Sequence, residues 1–275
     1  MTSNRAPPKK RVGRKSRASA VSDGEATVSP QGNTRSDDAP VWIYGRHAVA
    51  AALANPKRRM KRVLATKNAA DWLERSGATT EALSRIEDAR PHAIDAALPA
   101  GAVHQGLAAL VEPFPPARLK DACAEPSPAA PVIVLDQVTD PQNIGAIMRS
   151  AAALGARAIV VQDRRTPPLA GALAKAAAGA VEVLPCVRAV NIARALEGLE
   201  TLGYFRAGLA GAGAAPISEL PRDTPLAIVL GAEGAGLRQL VAATCDGLFR
   251  IEIASAMESL NVSTAAAIAL YEATR

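Results

Sequence analysis

From Pro131 to the C-terminus, short uninterrupted apolar runs alternate with stretches of helical periodicity. Val132–Leu135, Ala158–Val161, Val181–Val187, Leu226–Leu230 and Leu248–Ile253 read as strands. Ile144–Leu154, Ala170–Ala178, Ile192–Leu202, Leu237–Ala243 and Leu260–Thr274 read as helices. Strands that are apolar along their whole length are buried on both faces. The pattern over 132–275 therefore predicts an α/β fold, a parallel sheet with helices on both faces. Upstream, order begins at Val41–Gly45; Arg62–Thr66 and Gly106–Val111 read as strands, and Arg46–Ala54, Ala69–Arg75 and Thr79–Ala89 as helices. They make a small α/β domain over residues 41–111. Its first helix stops at Asn55-Pro56, because the residue before a proline avoids the helical region. Residues 112–131 hold Pro113, Pro115, Pro116, Pro126, Pro128 and Pro131 and read as a proline-stiffened linker, with a short helix over Ala117–Cys123. Residues 1–40 are rich in Ser, Pro, Gly, Lys and Arg and nearly devoid of large apolar side chains, a composition that predicts disorder.

Composition narrows the classes of function. With 49% hydrophobic residues in a chain of 275, a substantial core is available. At 3% aromatics, base stacking cannot dominate binding across the surface. No apolar run approaches the roughly 20 residues of a bilayer span, which predicts no membrane partner. The N-terminus lacks the apolar core of a secretory signal, which points to the cytoplasm. Cys123, Cys186 and Cys245 are odd in number and far apart, matching neither zinc nor disulfide spacing, and read as free thiols. His47, His92 and His104 are scattered as well, so no metal site is predicted. The formal charge is +6, but residues 1–40 hold eight Lys or Arg against four Asp or Glu, leaving only +2 for the rest. Bulk charge therefore does not make the folded part a nucleic-acid binder. The basic arm adds either non-specific phosphate attraction or solubility.

Three strand-to-loop segments carry candidate chemistry. The first runs from Asp136 to Ser150 and leaves the carboxyl end of a strand, where open α/β sheets place their ligands. Ile144, Ile147, Ala151 and Leu154 follow helical spacing toward the core. Arg149 lies about 200° around from Ile147 and can reach toward a cleft. Asn143 stands at the helix start. The second, Ala227–Leu237, runs a buried strand into Gly231, Gly234 and Gly236 around Glu233. Its Gly-x-x-Gly-x-Gly spacing is neither a Walker loop nor the dinucleotide fingerprint. The third, Glu258–Ser263, opens the last helix with Ser259, Asn261 and Ser263, short polar groups beside free backbone amides. Alone, each also reads as an ordinary cap or turn. Together they imply one shared cleft.

In order and wording, Asp140-Pro141-Gln142-Asn143-Ile144-Gly145 through Arg149, Ile228 to Leu237, and Ser259-Leu260-Asn261-Val262-Ser263 resemble the three motifs of the SpoU/TrmH family. These are RNA ribose 2′-O-methyltransferases of the SPOUT superfamily. Ile43–Val49 and His104-Gln105-Gly106 resemble the small RNA-binding domain of its bacterial 23S rRNA guanosine branch. The resemblance implies S-adenosylmethionine as methyl donor, a C-terminal trefoil knot and a homodimer whose active site draws on both subunits. By motif position it puts Gly231, Ile251 and Leu260 on the cofactor, and Asn143, Arg149, Glu233, Ser259 and Asn261 around the reaction. The implied target is a guanosine of 23S rRNA. A tRNA ribose is the alternative, and a non-catalytic RNA-binding assembly factor is the alternative of a different class.

Methyl transfer from a sulfonium is an in-line displacement, so alignment of the ribose oxygen provides much of the acceleration. Two roles are open for Arg149: a deprotonated base, or a phosphate clamp that also stabilises the developing oxyanion. Arginine's tight hold on its proton favours the second. The third motif departs from the family pattern. Ile251-Glu252-Ile253-Ala254-Ser255 stands where Ile-Pro-Met, a small residue and Gly are usual, which bears on cofactor affinity more than on fold.

Overall fold

The computed structural model describes residues 39–275. The arm expected to be disordered over 1–40 falls, except for its last two residues, outside them. The chain begins with β1 (Val41–Tyr44), α1 (Arg46–Ala54), β2 (Met60–Ala65), α2 (Lys67–Arg75), α3 (Thr80–Ser84), β3 (Ile86–Asp88), α4 (Pro91–Ala97) and β4 (Leu107–Val111). These strands form a four-stranded sheet in the order β1-β4-β2-β3, here called the small lobe. The single helix expected over Thr79–Ala89 is instead α3 followed by β3. The open edge of β2 offers ladder partners to Ile86–Asp88, and Glu87 pairs with Arg62 on that same strand pair at 2.6 Å. Tertiary pairing outweighs local helix propensity. The unanticipated α4 starts with Pro91 in its first turn, where a missing N–H costs nothing.

After α5 (Leu119–Ala122) come β5 (Val132–Asp136), α6 (Pro141–Ala153), β6 (Ala158–Gln162), α7 (Gly171–Ala177), β7 (Cys186–Ala189), α8 (Ile192–Thr201) and β8 (Phe205–Leu209). β9 (Ala215–Pro216), β10 (Leu226–Gly231), α9 (Gln239–Thr244), β11 (Gly247–Arg250) and α10 (Val262–Ala273) complete the fold. The seven strands of this large lobe run β7-β6-β5-β10-β8-β11-β9, and every pair is parallel. The α/β class and parallel sheet read from the apolar runs are present. Two runs differ in detail. Val181–Val187 divides into a 3-10 turn (Ala180–Glu182) and the start of β7, and the run from Leu248 stops pairing at Arg250. β8 went unrecognised because Arg206 and Gly208 interrupt its apolar pattern; in the fold Arg206 is held by Asp246 and Glu200.

Side chains alternate across the large sheet with period two. Ile133, Leu135, Ile159, Val161, Ile228 and Leu230 face one way, into the layer that contains α6, α7 and α10. Val132, Val134, Ala158, Val160, Ala227 and Val229 face the other, toward α8 and α9. The first cluster continues into the small lobe through Ile43, Val63, Leu107 and Val111, so one core serves both lobes.

β5 is flanked by β6 on one side and by β10 on the other, and the strand succession reverses between β5 and β10. Leu135 is opposite Leu230 and Asp136 opposite Gly231. The carboxyl ends of these two strands frame the crevice where doubly wound sheets bind ligands.

Candidate active site

Asp136 closes β5, and the chain turns through Val138 to the cap of α6. Asp140 is that cap: its carboxylate accepts from the backbone N–H of Gln142 and of Asn143, both at 3.2 Å. Pro141 follows in the first turn, and the helix therefore begins three residues before the predicted Ile144. This cap fixes Asn143 on the first turn, half-buried.

β10 runs out into the glycine loop. Gly236 N–H donates back to Ala232 O at 2.9 Å, closing a turn in which Gly234 and Gly236 have φ of 79° and 65°. The loop folds over Gly231, where a Cβ would lie 2.1 Å from the carbonyl carbon of Gly236. Only glycine fits there. The turn lifts the exposed Glu233 above the strand ends.

Asn261 caps α10. Its Oδ1 accepts from Ser263 N–H at 2.9 Å and from Ser263 Oγ–H at 2.6 Å. Its Nδ2 donates to Asn143 Oδ1 at 3.0 Å and to Glu233 Oε1 at 2.7 Å. Asn143 Nδ2 also donates to Glu233 Oε1, at 3.0 Å. One residue from each of the three motifs thus enters a single closed network, across sequence separations of 90 and 118 residues. Asn261 spends both amide hydrogens inside it. One hydrogen of Asn143 and the second carboxylate oxygen of Glu233 have no protein partner among the described residues, which leaves one donor and one acceptor of the network unspent.

The other predicted residues are not in this network. Arg149 is exposed and makes no hydrogen bond or ion pair among the described residues. It lies six positions along α6 from Asn143, roughly 9 Å down the axis and about 240° around it. Ser259 is exposed in the loop before α10 and has no hydrogen-bond partner among the described residues. Ile251 and Leu260 are half-buried at the two ends of that loop, and Gly231 lies at the base of the glycine turn. No residue from 251 to 261 has positive φ, so Ser255 in place of the usual glycine imposes no backbone strain. Glu252 approaches Arg250 at 3.7 Å.

One pair escaped the reading of the sequence. Asp136 is fully buried, and its carboxylate accepts from the backbone N–H of Arg238 at 3.0 Å and from its Nε at 2.9 Å. This pair pins the far end of the glycine loop to the end of β5. The signal was available: an acid that finishes a wholly apolar buried strand requires a partner. Nearby, burial pushes the Cys245 thiol up to about 11, so at neutral pH it is uncharged.

This architecture has known counterparts. Residues 130–271 match the SpoU rRNA Methylase family, and residues 42–117 match an RNA 2′-O ribose methyltransferase substrate-binding domain. The 23S rRNA (guanosine-2′-O-)-methyltransferase RlmB of Photobacterium profundum is 39% identical over 238 residues, covering 85% of this chain and 96% of that protein. A crystal structure of an rRNA methyltransferase from Sinorhizobium meliloti superposes with a TM-score of 0.70 at 25% identity, over 88% of this chain and 90% of that one. A second structure described as the AdoMet-bound rRNA methyltransferase of Sinorhizobium meliloti gives 0.69 at 24% identity, over 85% and 86%. By the family match and the near full-length relatives, the chain belongs to the SpoU rRNA methylase family.

Proposed function

We propose that this chain transfers the methyl group of S-adenosylmethionine to a ribose 2′-hydroxyl, and that the acceptor is a guanosine of 23S rRNA. The observation that carries the reading is the closed network of Asn143, Glu233 and Asn261, assembled from three distant segments at the switch point of the sheet. The name borne by relatives of almost the same length supports the guanosine and the rRNA.

The residues fit the cofactor. The segment from Ile251 to Asn261 has no regular secondary structure, with Met257 N–H to Ala254 O at 3.1 Å as its one internal backbone bond. Amides and carbonyls of this segment outside that bond and the α10 cap can bond the polar edge of an adenosine, through Ile251 and Leu260 in particular. Ile253 and Met257 are apolar and exposed in the same segment, ready to cover a ring. Bound there, S-adenosylmethionine supplies an electrophilic methyl on a positively charged sulfur, already a good leaving group.

The protein's own part is alignment and charge. The unspent N–H of Asn143 and the free oxygen of Glu233 hold the ribose in line for displacement: the new C–O bond would form as the methyl–sulfur bond breaks, the neutral thioether would leave, and the hydroxyl proton would pass to the free Glu233 oxygen or to solvent. Arg149 acts as a phosphate clamp: a fixed cation with a planar fork suits a phosphodiester, and its exposure on α6 leaves it open to RNA. The small lobe holds the surrounding RNA. Two copies form the working unit, a reading supported by the exposed apolar Ile268 and Tyr271 on the last helix. The same family reading supports a C-terminal knot and a cytoplasmic location.

Incubating the purified chain with S-adenosylmethionine and unmodified 23S rRNA or tRNA, followed by mapping of ribose methylation, tests the proposal. A single methylated guanosine in 23S rRNA is expected. Methylation confined to tRNA would overturn the target, and no binding at millimolar cofactor would overturn the enzyme reading.

A further inference from the structure

The two lobes meet at a charged lock that takes no part in the site above. Glu182 belongs to the turn between α7 and β7, in the large lobe. Arg58 lies between α1 and β2, in the small lobe. Arg58 Nη2 donates to Glu182 Oε1 at 2.6 Å, and its Nε sits 3.0 Å from Oε2. The side chains are 2% and 4% exposed. Asn55 adds a bond to Glu182 Oε2 at 3.0 Å, and Arg58 Nη1 donates to Glu112 O at 3.0 Å. The guanidinium lies 3.6 Å over the ring of Phe114, at the start of the segment that joins the lobes. The backbone is close as well: a Cβ on Gly179 would come within 2.7 Å of the Ala51 Cβ.

A bidentate ion pair removed from water, with nearly every polar atom bonded, permits one geometry and penalises all others. The joining segment is also tied down beyond Phe114, with Ala117 N–H donating to Cys186 O at 3.0 Å and Tyr204 Oη–H to Cys123 O at 3.2 Å.

We infer that Glu182 is a positioning residue: through Arg58 it locks the small lobe in one orientation, so that RNA held there meets the Asn143–Glu233–Asn261 network in a single register. The inference rests on the RNA methyltransferase reading. Because Glu182 and Arg58 are buried, neither touches RNA, and a change at Glu182 acts on RNA only through lobe geometry.

Glu182→Gln keeps the shape but strands the Arg58 charge. Arg58→Met with Glu182→Met removes both charges and retains volume. In full-length protein, the readouts are kcat on 23S rRNA, RNA affinity, the affinity and stoichiometry of S-adenosylmethionine binding, and the small-angle scattering profile. Glu182→Gln is expected to broaden the profile and lower kcat at least tenfold, with RNA affinity within threefold of wild type and full cofactor stoichiometry. Simple loss of folded protein would instead lower that stoichiometry in proportion. The double Met protein is expected to recover kcat to the degree that it recovers the profile. A broadened profile with full kcat, or an unchanged profile with either full or reduced kcat, overturns the inference. Wild-type protein inactive on every RNA would overturn the methyltransferase reading and, with it, the register, whereas the lock itself is still judged by the profile.

Discussion

At the scale of single residues, the site depends on one carboxylate oxygen. Glu233 Oε1 accepts from both asparagine amides, at 3.0 and 2.7 Å, and is thereby the point on which three segments converge. Glu233 is exposed, so its truncation removes little burial. Glu233→Ala is therefore expected to shift stability by less than about 1 kcal/mol. Activity depends on ångström-scale alignment and should fall about 100-fold or more. Thermal unfolding and single-turnover methyl transfer on the same preparation check this; a large loss of melting temperature would recast Glu233 as structural. Arg149 separates two chemistries. As a clamp it tolerates Lys in part, because a cation remains although the fork is lost. Arg149→Lys should retain measurable transfer with a raised KM for RNA, Arg149→Ala should abolish transfer, and both should bind S-adenosylmethionine as wild type does. Equal abolition by Lys and Ala, without any change in RNA affinity, would favour the base. Asn143, Glu233 and Asn261 were legible from motif spacing. Arg238 was not, because its role exists only opposite Asp136, 102 residues away.

At the scale of elements, the sequence located most helices and strands but misjudged those whose form depends on a neighbour. The stretch from Thr79 to Ala89 has helical composition, yet its second half becomes an edge strand on β2. Helix α6 shows the same dependence energetically. Gly145 lies in its first half, and a Cβ there would be 2.5 Å from the Ala176 Cβ and 2.6 Å from Leu173 O on α7. Propensity alone makes Gly→Ala in a helix favourable by about 1 kcal/mol. Overpacking a buried contact costs about 1–3 kcal/mol, and backbone oxygen cannot rotate away as a side chain can. Gly145→Ala should therefore destabilise, seen as a lower urea midpoint at unchanged m; a raised midpoint would refute the tight α6–α7 contact. Because α6 carries Asn143 at its N-terminus, the variant should also lose activity at temperatures where it remains folded.

At the scale of the whole molecule, the two lobes share a core and a buried ion pair, and the neighbouring strands β8 and β11 of the large sheet are tied by charge. Arg206 on β8 binds Asp246, just before β11, at 2.6 Å and Glu200 at 2.7 Å. Hydrogen bonding from the Arg206 guanidinium holds the Asp246 carboxyl below the usual range. A carboxyl depressed in the folded state contributes stability that is complete above its unfolded value and is lost as pH falls through its folded one. The acid limb of unfolding should therefore steepen below about pH 4, the ordinary range of an aspartate. Asp246→Asn should flatten that limb and lower stability at neutral pH. An acid limb identical to wild type, measured by urea unfolding across pH, would contradict the assignment.

The division between what is local and what is global runs through each of these levels. The apolar runs determined the α/β class and the parallel sheet, because a strand buried on both faces must be apolar at every position wherever it lies in the order. Motif order likewise marked Asn143, Glu233 and Asn261, since caps and glycine turns are local structures. Strand order, the pairing of Asp136 with Arg238, the conversion of Ile86–Asp88 to a strand and the Arg58–Glu182 lock were decided only in three dimensions. Each joins groups far apart in the chain, and the energy of a buried charge or an open sheet edge depends on which distant partner arrives to meet it.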